Sequence, residues 1–280
     1  MRDDLLQAVE KTDDLPPLPE ILQRLKTMID DPESGVADVA QVIQSDPVLS
    51  GRLLKLANNV YWRRGGIEVT AVNRALGRLG LKMALDLAYS TELPKLFKKN
   101  PVIQQGDFWR YSLGLALASQ AIARRLGASR DEQSHAYLGG LMRNTGVLLF
   151  AHLEPEKYRT FLEGICLGEQ TIEEAERAVF GISSAELGAA FIEKWWPVSE
   201  EVITYVRQRS SEVKPNVEYS VCVGNALLGS VGLSDGTGLE MTDAAFEKFR
   251  SHFSFTEEEW DELKDEIDTG ISVLQDRSLN

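Results

Sequence analysis

Gly139-Gly140-Leu141-Met142-Arg143-Asn144-Thr145-Gly146 sits near the middle of a 280-residue chain, within a stretch from about Asp131 to Phe150 that reads as one central helix. Each glycine costs a helix interior up to about 1 kcal/mol relative to alanine. Where glycines nevertheless recur, the missing side chain lets a neighbouring helix come close. The octet therefore predicts a central helix in tight contact with others.

The flanking sequence repeats the helical period. Ile21, Leu25 and Met28, then Val36, Val39, Ala40 and Ile43, recur three to four residues apart. Asp46-Pro47 reads as an N-cap followed by proline at the first helical position, opening a helix through Leu49, Leu53, Leu56 and Val60. Tyr61-Trp62-Arg63-Arg64-Gly65-Gly66 then predicts a loop bearing aromatic and basic side chains. Val72, Ala75, Leu76 and Leu79 share one face of the next helix, which Gly80 ends, and Asn100-Pro101 ends the first half.

In the second half Asp107 is a plausible N-cap, and Gly114, Ala116, Ala118 and Ala121 permit close packing along Leu113 to Ala123. Helices are further expected over about Glu156 to Cys166, Thr171 to Val179, Ser184 to Trp195 and Ser199 to Gln208, with a hinge over Ser210 to Asn216. Strand-like alternation is scarce. Gly229-Ser230-Val231-Gly232 and Asp235-Gly236-Thr237-Gly238 lack the lysine and the strand-to-helix setting of a phosphate loop. The expected class is all-α, a multi-helix bundle of two packed helical subdomains. Its expected parts are 1–100, 101–210 as core, and 211–280 as an extension packed on the core.

Composition narrows the function. Forty-three acidic against thirty basic residues give a formal charge of -13, a field that repels nucleic acid and anionic membrane surfaces. No apolar run approaches the roughly 18 residues of a membrane span, and the charged Met1-Arg2-Asp3-Asp4 is unlike a signal peptide. A cytoplasmic protein is expected. Cys166 and Cys222 are too few and too distant for a disulfide framework or a paired-cysteine metal motif. His135, His152 and His252 match no metal-ligand spacing, although His135 lies seven residues before Met142 on the expected central helix.

Several stretches taken in order resemble the HDOD (HD-related output domain) family. They are Leu15-Pro16-Pro17-Leu18-Pro19, Asp46-Pro47-Val48-Leu49, Leu53 to Asn59, Ala75 to Gly80, Trp109 to Ser112, Gly139 to Gly146 and Phe180 to Gly188. The resemblance implies an HD-like helical fold, related to metal-dependent phosphohydrolases and used in bacterial signalling without established catalysis. It places the HD dyad at Arg143-Asn144, two further histidine positions at Tyr111 and Ser184, and another histidine pair at Gln208-Arg209. Arginine donates only and stays charged, and asparagine carries no negative charge. No catalytic residue, metal or cofactor is expected.

The expected role is regulatory: docking other signalling proteins, with the output part of a response-regulator system as one form of that role, and with the partner and oligomeric state open. Tyr61, Trp62, Arg63 and Arg64 are the candidate docking residues, because such side chains are enriched at interface hot spots. Their alternative is packing of Tyr61 and Trp62 onto the preceding helix. Two other functions stay open: a cryptic phosphohydrolase or nucleotide-binding domain in which Arg143 grips phosphate, and a transcriptional regulator.

Overall fold

The computed structural model describes residues 1–11, 18–63, 66–96, 101–165, 171–196, 198–207, 220–234, 237, 246–247 and 250–274. Among them every regular element is a helix, as the apolar spacing predicts. Two units emerge, Met1–Pro17 with Phe97–Phe255 and Leu18–Leu96 with Thr256–Asn280. This division differs from the expected one at both ends: the first residues join the larger unit, and the expected C-terminal extension is shared between the two.

Helix α1 (Arg2–Lys11) belongs to the larger unit. The smaller unit comprises α2 (Glu20–Asp30), α3 (Val36–Gln44), α4 (Pro47–Asn58), α5 (Val60–Arg63), α6 (Val72–Leu79), α7 (Leu81–Leu96) and the last described helix, α16 (Glu257–Leu274). Asp46 caps α4 as predicted, its carboxylate accepting from the N–H groups of Val48 and Leu49 at 2.8 and 3.0 Å. Leu49, Leu53 and Leu56 are buried on one face of α4, but the helix stops at Asn58, short of Val60. Gly80 ends α6 at φ 91°, a conformation that side chains rarely adopt.

The expected loop at Tyr61-Trp62-Arg63 is instead the helical turn α5. Asn59 starts it: its carbonyl accepts from the N–H groups of Trp62 and Arg63, and its Oδ1 from Tyr61 N–H at 3.0 Å. A polar side chain before the turn thus satisfies an N–H that would otherwise face the helix end alone. Arg64 and Gly65 lie outside the described residues.

The larger unit adds α8 (Gln105–Arg125), α9 (Arg130–Met142), α10 (Thr145–Leu153), α11 (Pro155–Gly164), α12 (Ile172–Phe180), α13 (Ser184–Trp195), α14 (Glu200–Arg207) and α15 (Ser220–Ser230). Helix α8 is capped at Gln104, so Asp107 sits in its first turn, where its charge favours the helix dipole, rather than before it. From Tyr111 to Ala123 every residue of α8 is buried, since α9 and α15 both pack on it. Its small residues make this possible, together with Gly140 of α9, where an added Cβ would come within 2.7 Å of the Leu115 carbonyl oxygen. Phe150, Tyr158, Phe161 and Phe180 form an aromatic cluster across α10, α11 and α12, with centroids 4.6–6.0 Å apart.

The helix expected from Asp131 to Phe150 is two helices, α9 and α10, broken at Arg143-Asn144. Gly146 in the first turn of α10 explains the new direction. A Cβ on it would lie 2.5 Å from the Ser184 carbonyl carbon and nearer still to its oxygen, and one on Gly188 would lie 2.7 Å from Gly146 N. Helices α10 and α13 therefore cross backbone against backbone, and α10 must leave the axis of α9 to reach α13. Cys222 is buried and forms no disulfide among the described residues, and Cys166 lies outside them.

Candidate functional site

The break between α9 and α10 sets Arg143 at the end of one helix and Ser184 at the start of another. The Arg143 side chain is only 12% exposed, and its Nη1 donates to the Val206 carbonyl of α14 at 3.0 Å. Nη2 lies 3.9 Å from Glu173 Oε1 on α12. One guanidinium thus joins three helices, using donors fixed in a planar fork.

Glu176, one turn beyond Glu173 on α12, completes the cluster and was not expected from the sequence. It is fully buried, and its Oε2 accepts the Ser184 N–H at 2.7 Å, one of the amides at the start of α13 that the helix itself cannot satisfy. Its Oε1 has no hydrogen-bond partner among the described residues. Burial pushes its carboxyl up to about 7, against the pull of the Ser184 N–H and the charges of Arg143 and Arg177. The sequence did hold a signal: Glu176 lies within the apolar stripe of Ile172, Ala175 and Phe180.

Of the six positions that the resemblance singles out, Arg143 and Ser184 meet through Glu176. Asn144 occupies the break itself as N-cap of α10 and is half-buried. Tyr111 is buried in α8 and donates its hydroxyl to Asn225 Oδ1 of α15 at 2.5 Å. Gln208-Arg209 lies outside the described residues. His135 is half-buried on α9 with Glu132 and Glu201 as electrostatic neighbours.

These residues do not fit a metal ion. An HD-type centre needs several imidazole and carboxylate ligands on one cation. Where the resemblance puts the dyad, Arg143 offers only a guanidinium, and among the described residues no three His, Cys, Asp or Glu side chains gather in a metal-holding group. The carboxylates closest to Arg143 face an internal cation already.

The candidate docking residues lie in the smaller unit. Tyr61 and Trp62 are half-buried on α5 and Arg63 is exposed, with its Nε donating to the Gly66 carbonyl. Partial burial of both rings is compatible with either packing or docking. Arg78 holds the surrounding segment, donating to the Ala57 carbonyl at 2.8 Å and the Ile67 carbonyl at 2.6 Å.

Comparison with known proteins bears on both regions. The HDOD domain model matches residues 15–211. An uncharacterised protein of Treponema pallidum (strain Nichols) is 25% identical over 202 residues, which are 71% of this chain and 38% of that protein. Among solved structures, an HDOD domain protein of unknown function from Geobacter sulfurreducens is 21% identical with TM-score 0.71, over 98% of this chain and 97% of the other. A provisionally named phosphohydrolase of Shewanella amazonensis SB2B is 20% identical with TM-score 0.71, over 97% of each chain. A provisionally named signal transduction protein of Marinobacter aquaeolei VT8 is 24% identical with TM-score 0.66, over 98% of this chain and 64% of that one. The chain thus spans well under half of the curated relative and about two thirds of the last structure. At these identities the structural likeness establishes the fold, and no helix of the described residues is long and apolar enough to cross a membrane.

Proposed function

The chain belongs to the HDOD domain family, and we propose that it is a non-catalytic signalling module that acts by docking other proteins. The observation that carries this reading is Arg143: where the resemblance puts the hydrolase dyad, this permanent cation is already engaged by Val206, Glu173 and Glu176. A hydrolytic centre would need that site to hold a divalent ion and activate water, and two like charges would repel there. Elemental analysis of the purified protein and turnover assays on cyclic dinucleotides and nucleoside phosphates are expected to find neither stoichiometric metal nor product. About one metal per chain, or turnover abolished by Arg143→Ala, rejects the proposal.

The same contacts weigh against a phosphate pocket, because a phosphate would have to displace the internal acceptors from the guanidinium. The formal charge of -13 weighs against a DNA-binding regulator. Docking through Tyr61, Trp62, Arg63 and Arg64 has its own test once crosslinking in the native cell has supplied a partner. Trp62→Ala is expected to weaken binding by about 2 kcal/mol or more with little change in melting temperature. A stability loss of roughly 3 kcal/mol would instead mark Trp62 as a packing residue. Arg63→Ala with Arg64→Ala is expected to slow association in a salt-dependent way, as rim charges do.

A further inference from the structure

Asn58, the last residue of α4, treats Val69 as one β-strand treats another. Its Nδ2 donates to the Val69 carbonyl and its Oδ1 accepts the Val69 N–H, both at 2.8 Å. A carboxamide can satisfy both groups of one residue only when they point the same way, which is extended backbone geometry. In an extended chain the groups of the preceding and following residues then point to the opposite edge.

Those residues are Glu68 and Thr70, both exposed. Among the described residues no hydrogen bond reaches their main-chain N–H or C=O groups. The segment is nevertheless held from behind: Asn58 grips Val69, and Arg78 ties the Ile67 carbonyl to the end of α4. One further feature lies on it. Ile67 is 72% exposed, among the most exposed large apolar side chains described. A cleft of about 820 Å³ lies on the side that Asn58 holds, between α4 and α16, and is lined by Leu54, Asn58, Val69 and Val273.

We propose that residues 67–70 are a preformed strand edge that receives an extended segment of a partner protein by β-addition. The partner strand would form hydrogen-bonded pairs with Glu68 and Thr70, and place an apolar side chain over the exposed Ile67. An unpaired, fixed edge of this kind is a template for strand pairing, in which main-chain bonds give affinity and the alternate side chains give selectivity. The proposal rests on the reading of the chain as a docking module, but uses main-chain groups that the aromatic turn does not supply.

The test uses the full chain and a displayed library of random linear peptides. Peptides selected on the wild-type protein are expected to slow amide hydrogen exchange at Glu68 and Thr70, while Val69, already bonded to Asn58, changes little. N-methylation of a selected peptide should weaken binding roughly tenfold or more at every second position and leave the positions between unaffected. Thr70→Pro removes one donor and keeps the extended conformation of Val69, so it should lose binding while the melting temperature holds. Trp62→Ala separates the two ideas: peptide binding that survives it upholds the edge whatever becomes of the aromatic turn. Selection that yields no peptide protecting these amides, or binding indifferent to both N-methylation and Thr70→Pro, overturns the proposal. Self-association of the chain that Thr70→Pro abolishes also overturns it, by giving the edge to a second copy.

Discussion

Gly146→Ala is expected to cost on the order of 4 kcal/mol and to yield little soluble protein, because the methyl group would enter the space of the Ser184 carbonyl. Backbone cannot rotate aside as a side-chain tip can. To accept the methyl, α10 and α13 would have to separate along their crossing, which would also loosen the Glu176 contact at the start of α13. Gly77→Ala is the control. Nothing lies within 4 Å of a Cβ there, and the same exchange on the exposed face of α6 should stabilise by about 0.5–1 kcal/mol. Denaturant melts of the three proteins decide the matter; a Gly146→Ala protein within about 1 kcal/mol of wild type would mean that the crossing tolerates separation.

Glu176→Gln is expected to raise stability above neutral pH and to leave it nearly unchanged near pH 5. The folded-state value of about 7 lies above the ordinary 4.5. The stability linked to this proton is therefore fully present below about 4.5 and is lost as pH rises through about 7. Once that loss is complete, keeping the carboxylate buried costs on the order of 3 kcal/mol. Glutamine keeps an oxygen for the Ser184 N–H and never ionises. Melting curves from pH 5 to 9 should show the wild type falling relative to the variant by roughly 6 °C or more. Parallel curves would show that Glu176 is not protonated in this range.

Locally encoded features were legible in the sequence. Asp46-Pro47 opened α4 and Gly80 closed α6 because each acts on neighbouring backbone. Gly139, Gly140 and Gly146 foretold close crossings, which are present at Tyr205, Leu115 and Ser184. What each glycine would meet was invisible, and with it the break at Arg143-Asn144, which follows from the approach of α13. The turn at Tyr61 was missed because two following glycines outweighed Asn59, whose capping needs only its own side chain. The candidate site was half legible. Arg143 and Ser184 are named by the resemblance alone, whereas Glu176 gains its importance from burial against a helix that begins eight residues later.

The smaller unit also carries a consequence for how the protein is made. Helix α16 packs on α4, yet more than 190 residues separate them, and every residue of α8 to α15 leaves the ribosome in between. Helices α2 to α7 therefore wait, with the α4 face that α16 will cover still open, while a whole second unit is synthesised and has time to fold. Contacts of such long sequence separation close slowly and expose apolar surface meanwhile. A chain truncated before residue 257 and released from the ribosome should accordingly show the larger unit resistant to protease and residues 18–96 still susceptible, with resistance there restored only when α16 is present.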